Sequence, residues 1–284
     1  MATQHVRNGL VDDEEKGHIH RTTTGVTISP ELFEKLYFSP KTPHVGDYNR
    51  RFANPTALGF VGFAISAATF GMVLMGWGGS SGLTPVAGIF FFTGPVLLTF
   101  AMIFEWIMGN FFPMMVMALF DVFWLSFGVL QLPTLQLGAP YATDADPTGA
   151  SAPAFNAAIA LYLLVWGFAL LTFFFFTLKI NVVFATIFGL VTTASFVLSG
   201  AYWKVSQGNF DDALKLQKAG GALIFVVALL GWYSTFIIMS AEMSVGFFSY
   251  ISPRVPISLP MGDLSRFWPS TNVEITTESR DHHD

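Results

Sequence analysis

The sequence predicts an all-α integral membrane protein with six transmembrane helices. Three observations point there. Only 12% of the 284 residues are charged, about half the share in a soluble domain. No charged residue occurs from Phe52 to Phe104, a run long enough for two spans of about 20 residues each. The chain also carries 31 Phe, 11 Met and 7 Trp, and its mean hydropathy is +0.55. This composition excludes a disordered chain, a coiled coil and an ordinary soluble enzyme. The net charge of −5 excludes a nucleic-acid binder, because phosphate contacts need clustered Lys and Arg. With no Cys, there is no disulfide, thiolate metal site or cysteine nucleophile.

Helix 1 is read at about 55–77 and helix 2 at about 84–107. The Gly78-Gly79-Ser80-Ser81-Gly82 turn and Thr84-Pro85 separate them. Helix 3 is read at about 112–131, stopped by Pro133, and a polar loop covers 133–154. Helices 4 and 5 follow at about 155–178 and 181–203, with Lys179 between them. A polar stretch from Lys204 to Lys218 precedes helix 6 at about 219–242. The domains are therefore a tail over 1–50, a six-helix domain over 51–244 and a tail over 245–284. Within the first tail, Ser29-Pro30-Glu31 reads as an N-cap and first turn. It opens a short amphipathic helix at about 29–38, with Leu32, Phe33, Leu36 and Tyr37 on one face. The acidic run at 11–16 is not followed by an apolar core, so the N-terminus is not read as a signal peptide.

Both termini share one side if there are six spans. That side carries Lys41, Arg50, Arg51, Lys179 and Arg254, against Lys204, Lys215 and Lys218 opposite. The excess of basic residues puts the termini in the cytoplasm.

Asn opens every odd helix: Asn54 before Pro55, Asn110 after Gly109, and Asn181. One reading is helix capping. Another is three related helical hairpins whose carboxamides also meet a passing solute. Phe63, Phe120 and Leu190 lie nine or ten residues beyond these Asn residues. That is about 14 Å along a helix, deep enough for an apolar constriction at the bilayer centre. Gly94-Pro95 interrupts helix 2, either as a plain kink or as a broken helix at a transport site. Small residues such as Gly59, Gly62, Gly189, Gly220 and Gly221 read as packing positions.

Two acids stand in apolar runs, Glu105 at the end of helix 2 and Asp121 inside helix 3. Membrane-embedded acids usually face a cavity or a partner. No Lys, Arg or His lies in a span to pair with Asp121. It is read as protonated, as bonded to Ser, Thr or Trp, or as part of a water-filled pathway. Glu105 is read either as a functional acid or as a cap on the turn between helices 2 and 3. Every His lies in a tail, which gives no support to haem or metal chemistry; no cofactor, metal or enzymatic activity is expected.

Asn54-Pro55-Thr56-Ala57-Leu58-Gly59-Phe60 resembles the Asn-Pro-Ala-Pro-Leu-Gly-Leu signature of the acetate uptake transporter family. A second family signature is matched by Glu105, by Gly109-Asn110-Phe111-Phe112, and by Phe123-Trp124 with Ser126-Phe127. The stretch Ile28 to Tyr37 is similar to the fungal branch, whose members include acetate and ammonia-export proteins. The resemblance implies a plasma-membrane transporter of small monocarboxylates, proton-coupled by symport. It implies a homo-hexamer with one pathway per protomer and a midplane constriction, which falls on Phe63, Phe120 and Leu190. The expected partners are a small carboxylate or ammonium, protons and lipid. Departures from the pattern are Ala57, Phe60, Gly94-Pro95, Leu98, Phe120 in place of Tyr, and Asp121 in place of a small residue. A carboxylate at 121 opens one alternative, an ammonia or ammonium exporter of the same fold; the long tails open another, a non-transporting membrane sensor that recruits partners.

Overall fold

The structure, a computed structural model, describes residues 53–243. The short helix read at 29–38 and both tails lie outside the described residues. Among the described residues, six helices are long and apolar enough to cross a membrane, the second of them when its leading π-turn is included as Ile89–Met108. They are α1 (Thr56–Met75), α2 (Gly94–Met108), α3 (Phe111–Val129), α4 (Pro153–Thr177), α5 (Val182–Ser206) and α6 (Phe210–Glu242). No strand occurs among the described residues.

The helices form a ring. α1 packs along α6 and α2, α2 along α3, α6 along α5, and α5 along α4. Between α3 and α4 the backbones do not approach closely. Side chains bridge that gap instead: Ser126 and Tyr162 share a 2.6 Å hydroxyl hydrogen bond, and Phe123 meets Trp166 with ring centroids 5.3 Å apart. Of the three hairpins read from sequence, α1–α2 and α5–α6 are close antiparallel neighbours, whereas α3–α4 is splayed.

Glycine sets the crossing of α1 and α6. A Cβ on Gly71 of α1 would stand 2.8 Å from the Gly221 carbonyl oxygen, and one on Gly221 of α6 would stand 2.9 Å from the Gly71 carbonyl oxygen. Backbone meets backbone there, and neither side can yield by changing a rotamer. In lipid, such close approach supplies the association that the hydrophobic effect supplies in water. Gly71→Ala is therefore expected to cost about 1–3 kcal/mol, read as a lower melting temperature in detergent.

α6 starts nine residues before the position read from sequence. Hydropathy marks where a helix enters lipid; it does not mark where the helix begins. Asn209 Oδ1 accepts from Asp212 N at 3.1 Å, and Asn209 Nδ2 donates to Asp212 Oδ2 at 2.8 Å. Asp211 and Asp212 occupy the first turn, where the helix dipole favours negative charge. The charged stretch up to Lys218 is thus helix rather than a linker.

α2 is preceded by a 3-10 turn at Thr84–Val86 and a π-helical turn at Ile89–Thr93. Pro95 has no N–H for the ladder, and Gly94 N–H bonds back to Ile89 O, five residues earlier. The sequence signal at Gly94-Pro95 marks this π-turn. Trp106 lies exposed at one end of the bundle, with Trp77 and Trp203 at the other, as interfacial Trp does in membrane proteins.

The loop between α3 and α4 is tied around Asp146. Its Oδ1 accepts from Thr148 N, Thr148 Oγ1 and Gly149 N, and its Oδ2 from Ser151 N and Ser151 Oγ, all at 2.6–3.1 Å. These donors, the Ser151 hydroxyl first and the Thr148 hydroxyl next, hold the Asp146 carboxyl below the usual carboxylate range. The stabilisation is complete above the unfolded-state value of about 3.9 and is lost as pH falls through the lower folded-state value. Limited proteolysis should therefore leave the loop intact until the medium is more acidic than the ordinary carboxylate range. Asp146→Ala should be cut in this loop at every pH.

Candidate functional site

Two cavities lie in line within the bundle. The larger has about 50 Å³ open to water centres and is walled by α1, α3, α4, α5 and α6, including Phe70, Trp124, Trp166, Ser195 and Val227. The smaller, about 10 Å³, lies nearer the end of the bundle where α1, α3 and α5 begin. Phe60, Leu98, Met117, Phe184 and Phe188 are in its wall. A water needs about 10–15 Å³ by this measure, so the smaller space holds one at most. Phe63 and Phe120 border both cavities. Their rings meet at 4.7 Å between centroids and are 5% and 7% exposed. The pair is the partition between the two spaces.

Leu190, read from sequence as the third member, is half-buried and borders neither cavity. Phe188 stands against the partition instead, 5.8 Å from Phe120 between centroids and stacked on Phe173 at 5.7 Å. Sequence reasoning missed Phe188 because it matched depth alone. Two residues along a helix turn the side chain by about 200°, so positions 188 and 190 cannot share a face. The available signal was the apolar stripe Phe184, Ile187, Phe188 at helical spacing.

The three Asn residues do different work. Asn181 is fully buried and caps α5, its Oδ1 accepting from Phe184 N at 2.8 Å. Its Nδ2 has no hydrogen-bond partner. Asn54 is half-buried beside the buried Pro55, and its Oδ1 accepts from Thr56 N at 3.0 Å. Asn110 makes no side-chain cap; its Nδ2 donates to Glu105 Oε2 at 2.7 Å. The Thr56 hydroxyl donates to Glu105 Oε1. Glu105, 0% exposed, is thus part of a polar knot joining the start of α1 to the α2–α3 turn. Of the signature residues, Gly59 is buried where α1 meets Met117 and Ala101, and Leu58 faces outward.

Asp121 follows Phe120 in the chain but borders neither cavity. It faces α2, where Thr99 Oγ1 donates to its Oδ2 at 2.7 Å. Of the three sequence readings, a hydroxyl partner is the one seen. Thr56 and Thr99 are the polar partners that sequence reasoning did not name.

Six membrane-length helices around two apolar cavities define a polytopic membrane protein. The sequence model of the GPR1/FUN34/yaaH family matches residues 38–260, and the chain belongs to that family. It is 36% identical to Protein alcS of Aspergillus fumigatus, over 90% of this chain and 92% of that protein. It is 31% identical to the acetate transporter protein patA of Aspergillus clavatus, over 76% of this chain and 80% of that one. The solved structure of the bacterial acetate channel SatP shares the fold. Its TM-score is 0.53 at 23% identity, covering 69% of this chain and 97% of that one.

The knot around Glu105 yields a prediction. Asn110→Ala leaves a buried carboxylate oxygen without this donor, which costs about 1–3 kcal/mol or more for a charged group. Thermal unfolding in detergent should show the loss.

Proposed function

We propose that this protein carries small monocarboxylates such as acetate across the plasma membrane with protons, through one pathway in each protomer. The observation that carries this reading is the Phe63–Phe120 partition between two cavities inside a single bundle. An apolar partition of this kind excludes hydrated ions by the cost of dehydration. A small acid with a methyl body pays little to pass it. The named activity of the relative patA supports the same substrate class. The excess of Lys and Arg on one side supports cytoplasmic termini, and assembly as a homo-hexamer is part of the same family-based reading.

One observation favours a second reading, export of ammonia. Neither cavity has a Lys, Arg or His in its wall, so nothing there holds an anion by charge, and a neutral molecule suits the space. Proteoliposomes containing the full chain separate these readings. Uptake of labelled acetate supports the first, and movement of labelled methylammonium without acetate supports the second. Failure of both, with succinate also excluded, leaves the membrane sensor.

The partition gives a sharper test. Phe63→Ala joins the two cavities, so longer acids should pass more freely. The butyrate-to-acetate rate ratio is expected to rise about tenfold, equivalent to ~1.4 kcal/mol. An unchanged ratio in a folded variant would remove Phe63 from the pathway.

A further inference from the structure

We propose that Asp121, with Thr99 and Trp124, forms a proton-binding site beside the pathway, and that it acts on the pathway through Phe120. The inference rests on the reading that the two cavities carry substrate.

The site is built from neighbours on α3. Phe120 projects into the partition, while Asp121, one residue on, lies against α2. Asp121 is 6% exposed; its Oδ2 accepts from Thr99, and its Oδ1 is buried without a partner. One helical turn further, Trp124 is 2% exposed and its Nε1 is likewise buried without a partner. An unpartnered acceptor and an unpartnered donor therefore sit one turn apart on the same helix. Trp124 borders the larger cavity, so the carboxyl lies one helical turn from that cavity's wall.

Among the described residues, no positive charge pairs with Asp121. α1, α2 and α3 carry no Lys, Arg or His. The other titratable group on these helices is Glu105, about 9 Å further along α2 than Thr99 at 1.5 Å per residue. Glu105 is bound to Thr56 and Asn110. A charged carboxylate with one hydroxyl donor is costly in such surroundings. A bound proton removes the charge and turns one oxygen into a donor.

The neighbouring helix can respond to that change. Just above Thr99, α2 runs into the π-turn at Ile89–Thr93, where Gly94 packs against Ser66 and Trp124. A π-turn already departs from the regular ladder, so small shifts there break no continuous helix. The Thr99–Asp121 bond ties α2 to α3 one residue from Phe120. Protonation changes that bond, and with it the seat of the Phe120 ring in the partition. Asp121 is thus a positioning residue; it does not touch substrate.

The test compares the full-length parent with Asp121→Asn and Thr99→Val in proteoliposomes. Labelled acetate exchange is measured at equal pH on both sides, from mildly acidic to mildly alkaline. Titration of acetate itself is common to all three proteins. The parent-to-Asn rate ratio is therefore expected to change about tenfold across the range, in a single-proton step. Thr99→Val keeps the carboxyl and should move the pH of that step. Infrared difference spectra supply a readout independent of transport: the band of a protonated carboxyl should titrate in the parent and be missing in Asp121→Asn. If that band titrates while no protein passes acetate, the proton site stands and the transport reading fails. A flat parent-to-Asn ratio in proteins that do exchange acetate, or an infrared band unchanged by Asp121→Asn, overturns the proposal.

Discussion

Within the hydrocarbon of a bilayer there is no water to receive a stray hydrogen bond, and each polar group must find its partner inside the protein. The helices follow from this, since only a closed internal ladder satisfies the backbone. Most side chains obey the same constraint; among the described residues, Asp121 Oδ1, Trp124 Nε1, Asn181 Nδ2 and Thr192 Oγ1 are the buried exceptions. Thr69, Thr172, Thr186, Thr193, Ser234 and Thr235 each donate to the carbonyl four residues earlier, and so take part in their own helix. Ser195 and Ser199 reach across instead, donating from α5 to the Leu163 and Ala160 carbonyls of α4. Those two bonds hold one wall of the larger cavity in register.

Seen this way, the two embedded acids are opposites. Glu105 has donors gathered around it from two other elements, and its place near the end of α2 makes it a fastener for the first three helices. Asp121 has one donor for two oxygens. Its environment is incomplete in a bundle that is otherwise economical with polar groups, and it adjoins the ring that divides the cavities. The difference lies in the number of partners supplied to each, not in depth alone.

Much of the fold was legible because a span of apolar residues has few alternatives. The breaks at Gly78–Gly82 and Gly94-Pro95 were legible for a similar reason: Gly and Pro restrict the backbone wherever they occur. The start of α6 was not legible, because Ala213 through Lys218 are good helix formers that simply do not enter lipid, while Asp211 and Asp212 suit only its first turn. The roles of the Asn residues were hidden too. Asn181 has the extended backbone of a capping residue (φ −164°, ψ 166°), whereas Asn110 has φ −82° and ψ 83° and turns its amide toward Glu105. Identical residues at matched positions thus take their roles from local dihedral angles that spacing does not record. Phe63 and Phe120 could be proposed from depth, but only three-dimensional packing showed which α5 side chain joins them.

The gap between α3 and α4 gives the ring an uneven stiffness. At the Gly71–Gly221 crossing, carbonyl lies against backbone, and separating the helices means giving up contact along their whole lengths. At the α3–α4 seam the closure is made by side-chain tips: one hydroxyl pair and a few aromatic contacts, each ring pair worth about 0.5–1.5 kcal/mol beyond its buried area. The ring is therefore joined by backbone contact at one crossing and by side-chain tips at the other, so the α3–α4 seam depends on Tyr162, Phe123 and Trp166 while every helix keeps its own ladder.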